Sequence, residues 1–138
     1  MSVMLPPEYR PSRDEPFMNS RQLEYYRWKL LKWRGELIAD SNHTLRHLKQ
    51  DKEQQTDFAD RASVETGRSL ELRTRDRERK LVAKIDAALK RIENGTYGYC
   101  GETGEPISLR RLEARPIAMF GIDAQERHER REKVYRND

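Results

Sequence analysis

Acidic side chains are concentrated in one short segment of the 138-residue sequence, where five carboxylates stand against two basic residues between positions 51 and 65. Asp57 and Asp60 lie just before a second helical pattern resumes. A carboxylate at such a position can cap a helix by accepting backbone N–H bonds. Exposed carboxylates can also meet a cation or a basic loop of a partner. Both interpretations remain open, and they are compatible.

A basic stretch follows, with nine Arg and Lys residues against four carboxylates between positions 68 and 91. Arg77, Lys84 and Arg91 recur every seven residues, so they share one helix face. A solvated face with weak ion pairs is the ordinary explanation of such a row. A basic pocket for phosphate or another anion is the alternative, formed with Arg110, Arg111 and Arg115.

Metal and nucleophile chemistry have little support in the sequence. His43 and His47 are four residues apart, but no carboxylate near them has ligand spacing. Cys100 is the single cysteine, so an intramolecular disulfide is excluded. Thr103 stands where a CxxC partner would be, and His128 lies in a strongly charged helix. Since P-loop, GxGxxG and HExxH motifs are also lacking, we expect no enzymatic activity.

Two helices carry these charges. Asn19 fits the N-cap of the first helix and Gln22 its capping-box position. The helix is predicted to run to about residue 50, with a seam that includes Tyr26, Leu30 and Leu37. Leu31, Ile38 and Leu45 form a second row. After a break at residues 51–60 a second helix resumes, and Asn94-Gly95 ends it. Its predicted seam is Leu70, Leu81, Ile85, Ala88 and Ile92.

The composition favours a mainly α protein, because only 35% of the residues are hydrophobic and 38% are charged. We expect a long antiparallel two-helix coiled-coil hairpin, a small globular lobe and a C-terminal helix. The predicted segments are an extended arm at 1–17, the hairpin at 18–95 with its tip near 51–62, the lobe at 96–122 and the helix at 123–138. Asp123 and Glu126 resemble a capping box that opens the last helix.

The net charge of +4 is mild, and 24 acidic residues intermingle with the 28 basic ones. A sequence-independent DNA binder usually carries a larger basic excess. No apolar stretch approaches the ~20 residues of a membrane span, and the N-terminus lacks the features of a signal peptide. A cytoplasmic protein without membrane association is expected.

Four segments together resemble the DksA/TraR family of bacterial stringent-response transcription factors. They are DRA at 60–62, SLELRTRDRERKL at 69–81, YGYC at 97–100 and ISLRRLEARP at 107–116. The resemblance implies a coiled-coil hairpin that enters the secondary channel of RNA polymerase and modulates initiation together with the alarmone ppGpp. It also implies no sequence-specific DNA binding, and we expect a monomer.

The resemblance also implies roles for individual residues. Asp57, Asp60 and Ala62 match the hairpin tip that approaches the polymerase active site. Arg77 matches a shaft residue that supports polymerase binding, and Arg73 is placed with it.

For ppGpp bound together with polymerase, the matching positions are Leu81, Lys84 and Arg115. The fourth position is usually lysine but is Gln125 here, so one charge-assisted contact is missing.

The familiar family lobe holds zinc with four cysteines. The corresponding positions here are Cys100, Thr103, Gly121 and Ala124, and a single thiolate cannot hold a structural zinc. The chain therefore resembles the cysteine-poor, zinc-free subgroup. Packing is expected to replace the metal through Tyr97, Tyr99, Met119, Phe120 and Ile122.

Three alternatives remain open. A transcript-cleavage factor resembling the Gre proteins would use the tip carboxylates to hold Mg²⁺ in the polymerase active site. A coiled-coil adaptor would share the architecture without acting on polymerase. Direct nucleic-acid binding through the arginine row would show salt-dependent retention on DNA.

Overall fold

A computed structural model of the chain describes residues 4–54 and 58–136. It contains four helices, α1 Ser20–Gln54, α2 Phe58–Asn94, α3 Leu109–Ala114 and α4 Ile122–Arg136. In these two ranges the β pairing amounts to one isolated bridge between Tyr99 and Pro106. The predicted mainly α fold is confirmed.

The predicted cap of α1 is confirmed by its hydrogen bonds. Asn19 Oδ1 accepts the backbone N–H groups of Arg21 at 2.9 Å and Gln22 at 3.0 Å. Gln22 Oε1 accepts the N–H of Met18 at 2.8 Å, one residue before the cap. The buried Gln22 amide also donates to Ser12 O at 3.2 Å, so the helix start holds the preceding segment in place.

The break between the two long helices is shorter than the sequence pattern predicts. α1 continues to Gln54 and α2 begins at Phe58, whereas the sequence placed these ends near residues 50 and 60. Polar residues such as Lys, Glu and Gln are good helix formers, so a lost apolar periodicity does not end a helix. The predicted C-terminus of α2 is confirmed, since Gly95 follows Asn94 with a φ of 77°.

The chain divides by packing into two units, 1–30 with 87–138, and 31–86. In the described part of the first unit, the core consists of residues from all four helices and from the segments that connect α2, α3 and α4. Tyr97 is 1% exposed, its ring lies 5.6 Å from that of Tyr26, and its hydroxyl donates to Pro116 O at 2.8 Å. The other buried side chains include Leu30, Ala88, Ile107, Leu112, Ile117 and Ala124. This division groups residues by packing, so it does not test the segment boundaries at 17, 95 and 122, which stay predictions.

Within residues 31–86, α1 and α2 run antiparallel. Arg34 near the start of this range bonds Asp86 at its end, with 2.7 Å between Arg34 Nε and Asp86 Oδ1. Further along, both helices line one groove. The residues of α1 are Leu37, Ile38, Ser41 and Asn42, and those of α2 are Arg75, Glu78, Arg79 and Val82. This pairing agrees with the predicted hairpin.

The seam of α2 in this unit differs from the prediction. From buried Ile85, half-buried residues recur in steps of three and four at Val82, Glu78, Arg75, Glu71 and Arg68. The prediction that Leu70 belongs to the seam is wrong, because this spacing skips it and its side chain is 58% exposed. Charged side chains therefore occupy seam positions while a leucine faces outward.

Two short elements also differ from the sequence interpretation. The prediction that Asp123 caps the last helix is wrong, because α4 begins one residue earlier, at Ile122. The Gln125 N–H donates to Gly121 O at 3.0 Å, which is the first helical bond of α4. Asp123 instead lies in the first turn, where a carboxylate suits the helix dipole. Helix α3 was not predicted. Ser108 caps it by accepting the Arg111 N–H at 3.2 Å.

Candidate functional site

An exposed cationic row follows one face of α2. We use this name for Arg73, Arg77, Lys80 and Lys84, which are spaced by four, three and four residues and are all exposed. Such spacing places side chains on one helix face. Across residues 4–54 and 58–136, none of these four cations pairs with a carboxylate at salt-bridge distance. The row can therefore accept acidic groups from outside the chain.

The predicted ppGpp positions on α2 adjoin this row. Lys84 is its last member, and Leu81 lies four residues after Arg77 with its side chain half-buried. Arg115 and Gln125 belong to the other packing unit. The assembly of these four residues into one site stays a prediction.

The predicted tip is only partly within the described residues. Asp57 lies outside them. Asp60 belongs to the first turn of α2 and Ala62 to the turn that follows, but their side chains are outside the description. The roles of these three residues stay predictions.

Hydrogen bonds fix the backbone that carries Arg115. It is the C-cap of α3, and its N–H donates to Arg111 O at 2.7 Å. Its carbonyl accepts the Ala118 N–H at 3.0 Å, and the neighbouring Pro116 carbonyl accepts the Tyr97 hydroxyl. The Arg115 side chain is exposed, so a fixed backbone carries an accessible cation.

Glu113 anchors the same segment, and no pattern in the sequence predicts this role. Its carboxylate accepts the Tyr25 hydroxyl at 2.8 Å, and Lys29 Nζ lies 2.9 Å away. Arg10 adds a third contact at 3.3 Å. Burial raises the pKa of Glu113, but Lys29, Tyr25 and Arg10 outweigh it and hold the pKa below its usual value. The sequence shows only that Tyr25 and Lys29 are four residues apart and so share a helix face. It does not indicate that Glu113 contacts them.

Gln125 forms a local contact on α4. Its amide donates to Glu129 Oε1 at 3.2 Å, within one helical turn. Because an amide is neutral, this position supplies a hydrogen-bond donor but no charge.

The lobe has a hydrogen-bonded sulfur where the family's zinc-binding version carries its first cysteine. Burial raises the pKa of Cys100, yet hydrogen bonds from the Thr103 hydroxyl and three backbone groups lower it to about 7. Those groups belong to Gly121, Thr103 and Glu102. Ala124, at the fourth zinc position, is 2% exposed and contributes a buried methyl group.

This donor set does not fit a structural zinc. Zinc sites of this kind need four N or S ligands, and here one sulfur is accompanied by a hydroxyl and two residues without a ligating side chain. In the described ranges, no group of three or more His, Cys, Asp or Glu residues could hold a metal ion. His43 is exposed and belongs to no such group.

The packing predicted to replace the metal is only partly correct. Tyr97 is buried, but Tyr99, Met119 and Ile122 are 38%, 48% and 56% exposed. Hydrogen bonds to backbone carbonyls hold the 119–120 segment instead. The Gly101 backbone N–H donates to Met119 O at 2.8 Å, and the Arg111 side chain donates through Nε to Phe120 O at 2.9 Å. The half-buried Phe120 stacks on His128 at 4.5 Å, and His128 Nε2 lies 3.2 Å from Glu102.

Comparison with known families and proteins matches nearly the whole chain. Residues 22–92 match the N-terminal domain of the DnaK suppressor protein DksA, and residues 95–130 match the prokaryotic dksA/traR C4-type zinc finger. Among the residues that the structure describes, no helix has the length and apolar character needed to cross a membrane.

Similar proteins include the RNA polymerase-binding transcription factor DksA of Caulobacter vibrioides. It is 63% identical over 131 residues, covering 95% of this chain and 92% of that protein. The protein of the same name from Escherichia coli K12 is 43% identical over 125 residues, covering 91% of this chain and 83% of that protein.

A solved structure agrees with these matches. Transcription factor DksA2 from Pseudomonas aeruginosa has a TM-score of 0.78 and 46% sequence identity, covering 85% of this chain and 90% of that one. The chain belongs to the DksA/TraR family.

Proposed function

We propose that this protein is a transcription regulator that binds RNA polymerase through the secondary channel and modulates initiation together with ppGpp. The observation that carries the proposal is the exposed cationic row of α2, which has no carboxylate partner among the described residues. It belongs to a chain whose 63%-identical relative is named an RNA polymerase-binding transcription factor. The protein acts as a monomer and needs no direct sequence-specific contact with DNA.

In this proposal, α2 supplies the affinity and the tip supplies the effect. Arg73 and Arg77 pair with carboxylates of polymerase, because guanidinium groups bind carboxylates in two-pronged geometry. Asp57, Asp60 and Ala62 then lie near the polymerase active site. Charge at Asp57 and Asp60 alters the initiation complex, whereas docking rests on the row.

The same proposal assigns ppGpp to residues that act with polymerase. Lys84 and Arg115 contribute positive charge for its phosphates, and Leu81 contributes apolar contact. Gln125 offers a neutral donor in place of a cation, so the response to ppGpp is weaker than with lysine at this position.

We further propose that the protein folds without zinc. Cys100 is the only cysteine among the four zinc positions, and one sulfur beside a threonine, a glycine and an alanine cannot complete a tetrahedral zinc site. Elemental analysis of the purified protein should find no stoichiometric zinc. One zinc per chain, removed by a chelator with loss of helicity, would contradict this.

The proposed function is tested by initiation in vitro at a ribosomal RNA promoter, with and without ppGpp. The wild type should change transcript yield, and Lys84→Ala should remove most of the ppGpp-dependent part. Asp57→Asn with Asp60→Asn should abolish the effect while polymerase binding is retained. If the wild type changes nothing in either condition, the proposed function is wrong.

A further inference from the structure

Leu70 extends the cationic row by one step toward the beginning of α2. It lies three residues before Arg73, so the exposed face reads Leu70, Arg73, Arg77, Lys80, Lys84 in steps of three and four. Single exposed leucines are common on protein surfaces and need no explanation. This one is 58% exposed and continues the row of four cations. The nearby carboxylates are Glu65, on the same surface, and Asp76, which pairs with Arg79.

The outward position of Leu70 contrasts with the charges inside the seam. Arg75 and Glu78 are half-buried at positions where a coiled coil usually carries leucine. A sequence selected for hairpin stability alone would place the leucine inside and the charges outside. Such a departure from the hydrophobic pattern is expected where a surface has a function.

The surface around Leu70 is open and shallow. Leu70 and Arg73 line it together with Glu65, Thr66 and Ser69 of the same helix. An exposed apolar side chain next to cations can insert into an apolar recess of a partner. Apolar anchors surrounded by polar contacts commonly contribute most of the binding energy at protein interfaces.

We propose that Leu70 is the apolar anchor of a protein-docking surface that it forms with the cationic row, and that the occupant is an acidic protein segment with an apolar recess. The charge of the row selects carboxylates, and Leu70 favours a protein over a nucleic acid, since phosphates offer it no apolar contact. The inference rests on the proposed function, in which the partner is RNA polymerase.

The test measures the affinity of the full-length chain for core RNA polymerase from the same bacterium. Leu70→Ala should weaken binding by about tenfold. The matched control is Leu72→Ala, since Leu72 is also in α2, is 48% exposed and lies about 200° around the helix from Leu70. It should stay within about twofold of the wild type, as expected for a truncation outside the docking contacts.

Salt dependence separates the anchor from the charges. Leu70→Ala keeps every cation, so it should lower the affinity by the same factor at low and high salt. Leu70→Met, which keeps most of the apolar volume, should restore most of the affinity. Circular dichroism should show the same helicity for all variants.

Three other results would contradict either the role of Leu70 or the identity of the partner. Wild-type affinity in Leu70→Ala, or an equal loss in Leu72→Ala, would reject Leu70 as the anchor while the proposed function stands. A wild type that does not bind polymerase would reject the proposed function and, with it, this partner. Binding to duplex DNA that Leu70→Ala weakens would reassign the surface to nucleic acid.

Discussion

Lys29 and Glu113 are 84 residues apart in the sequence and are joined by two contacts. Lys29 Nζ lies 2.9 Å from the Glu113 carboxylate and donates to the Glu113 backbone carbonyl at 2.8 Å. One ammonium group thus fixes both the side chain and the backbone at the end of α3. This arrangement fixes the segment that presents Arg115, two residues further on.

We predict that Glu113→Ala lowers the free energy of unfolding by about 1 kcal/mol. The variant removes the acceptor for Tyr25 and Lys29, and the value is already reduced for solvent screening because the carboxylate is 39% exposed. Urea denaturation measures the change. Glu132→Ala, at an exposed position of α4, should leave the stability unchanged.

The same carboxylate should make stability depend on pH. Because the folded protein holds the pKa of Glu113 below its ordinary value of 4.5, the stability that Glu113 contributes is fully present above that value and is lost as pH falls through the lower folded pKa. The wild type should therefore lose its advantage over Glu113→Gln in mildly acidic solution below the ordinary carboxyl pKa. An advantage that is constant across this range would contradict the assignment.

The sequence predicts local features of the fold better than distant contacts. The α1 cap at Asn19 and the α2 stop at Gly95 depend on neighbouring residues, and both are confirmed. The predicted seam position of Leu70 is wrong, because the half-buried positions of α2 depend on its packing against α1, which the sequence of α2 alone does not show. Glu113 could not be found, since its partners come from the N-terminal segment and α1.

The Thr103 hydroxyl should influence the pKa of the Cys100 thiol. Thr103→Val removes a hydroxyl that donates to it, so the pKa should rise from about 7 toward the ordinary thiol value. The ultraviolet absorbance of the thiolate, followed against pH, measures this pKa. Thr96→Val makes the same chemical change at an exposed position and should leave the titration unaltered.

This pKa also has a consequence for stability. A thiol whose pKa is lower in the folded protein contributes stability that is fully present above its unfolded pKa of 9.0 and is lost as pH falls through about 7. The wild type should gain stability over Cys100→Ser between these two values. A constant difference in stability across this interval would show that the sulfur does not accept these hydrogen bonds in the folded protein.

The charged seam of α2 predicts that one substitution is stabilising. Glu78 has a buried carboxylate oxygen, and no hydrogen-bond partner for it exists among the described residues. Glu78→Leu should raise the free energy of unfolding by about 1–2 kcal/mol, since it removes an unsatisfied polar atom and adds apolar contact. Glu36→Leu, at an exposed position of α1, should give no comparable gain in thermal unfolding.

The neutral side chain at position 125 predicts a gain of function. Gln125→Lys adds a cation at the position that the family usually fills with lysine, and a charge-assisted contact to phosphate should lower the half-maximal ppGpp concentration by about tenfold. Initiation at a ribosomal RNA promoter over a range of ppGpp concentrations measures it. Glu132→Gln changes the net charge by the same amount on the same helix, so it separates a local contact from general electrostatic attraction. If both variants lower the ppGpp requirement equally, position 125 does not contact the alarmone.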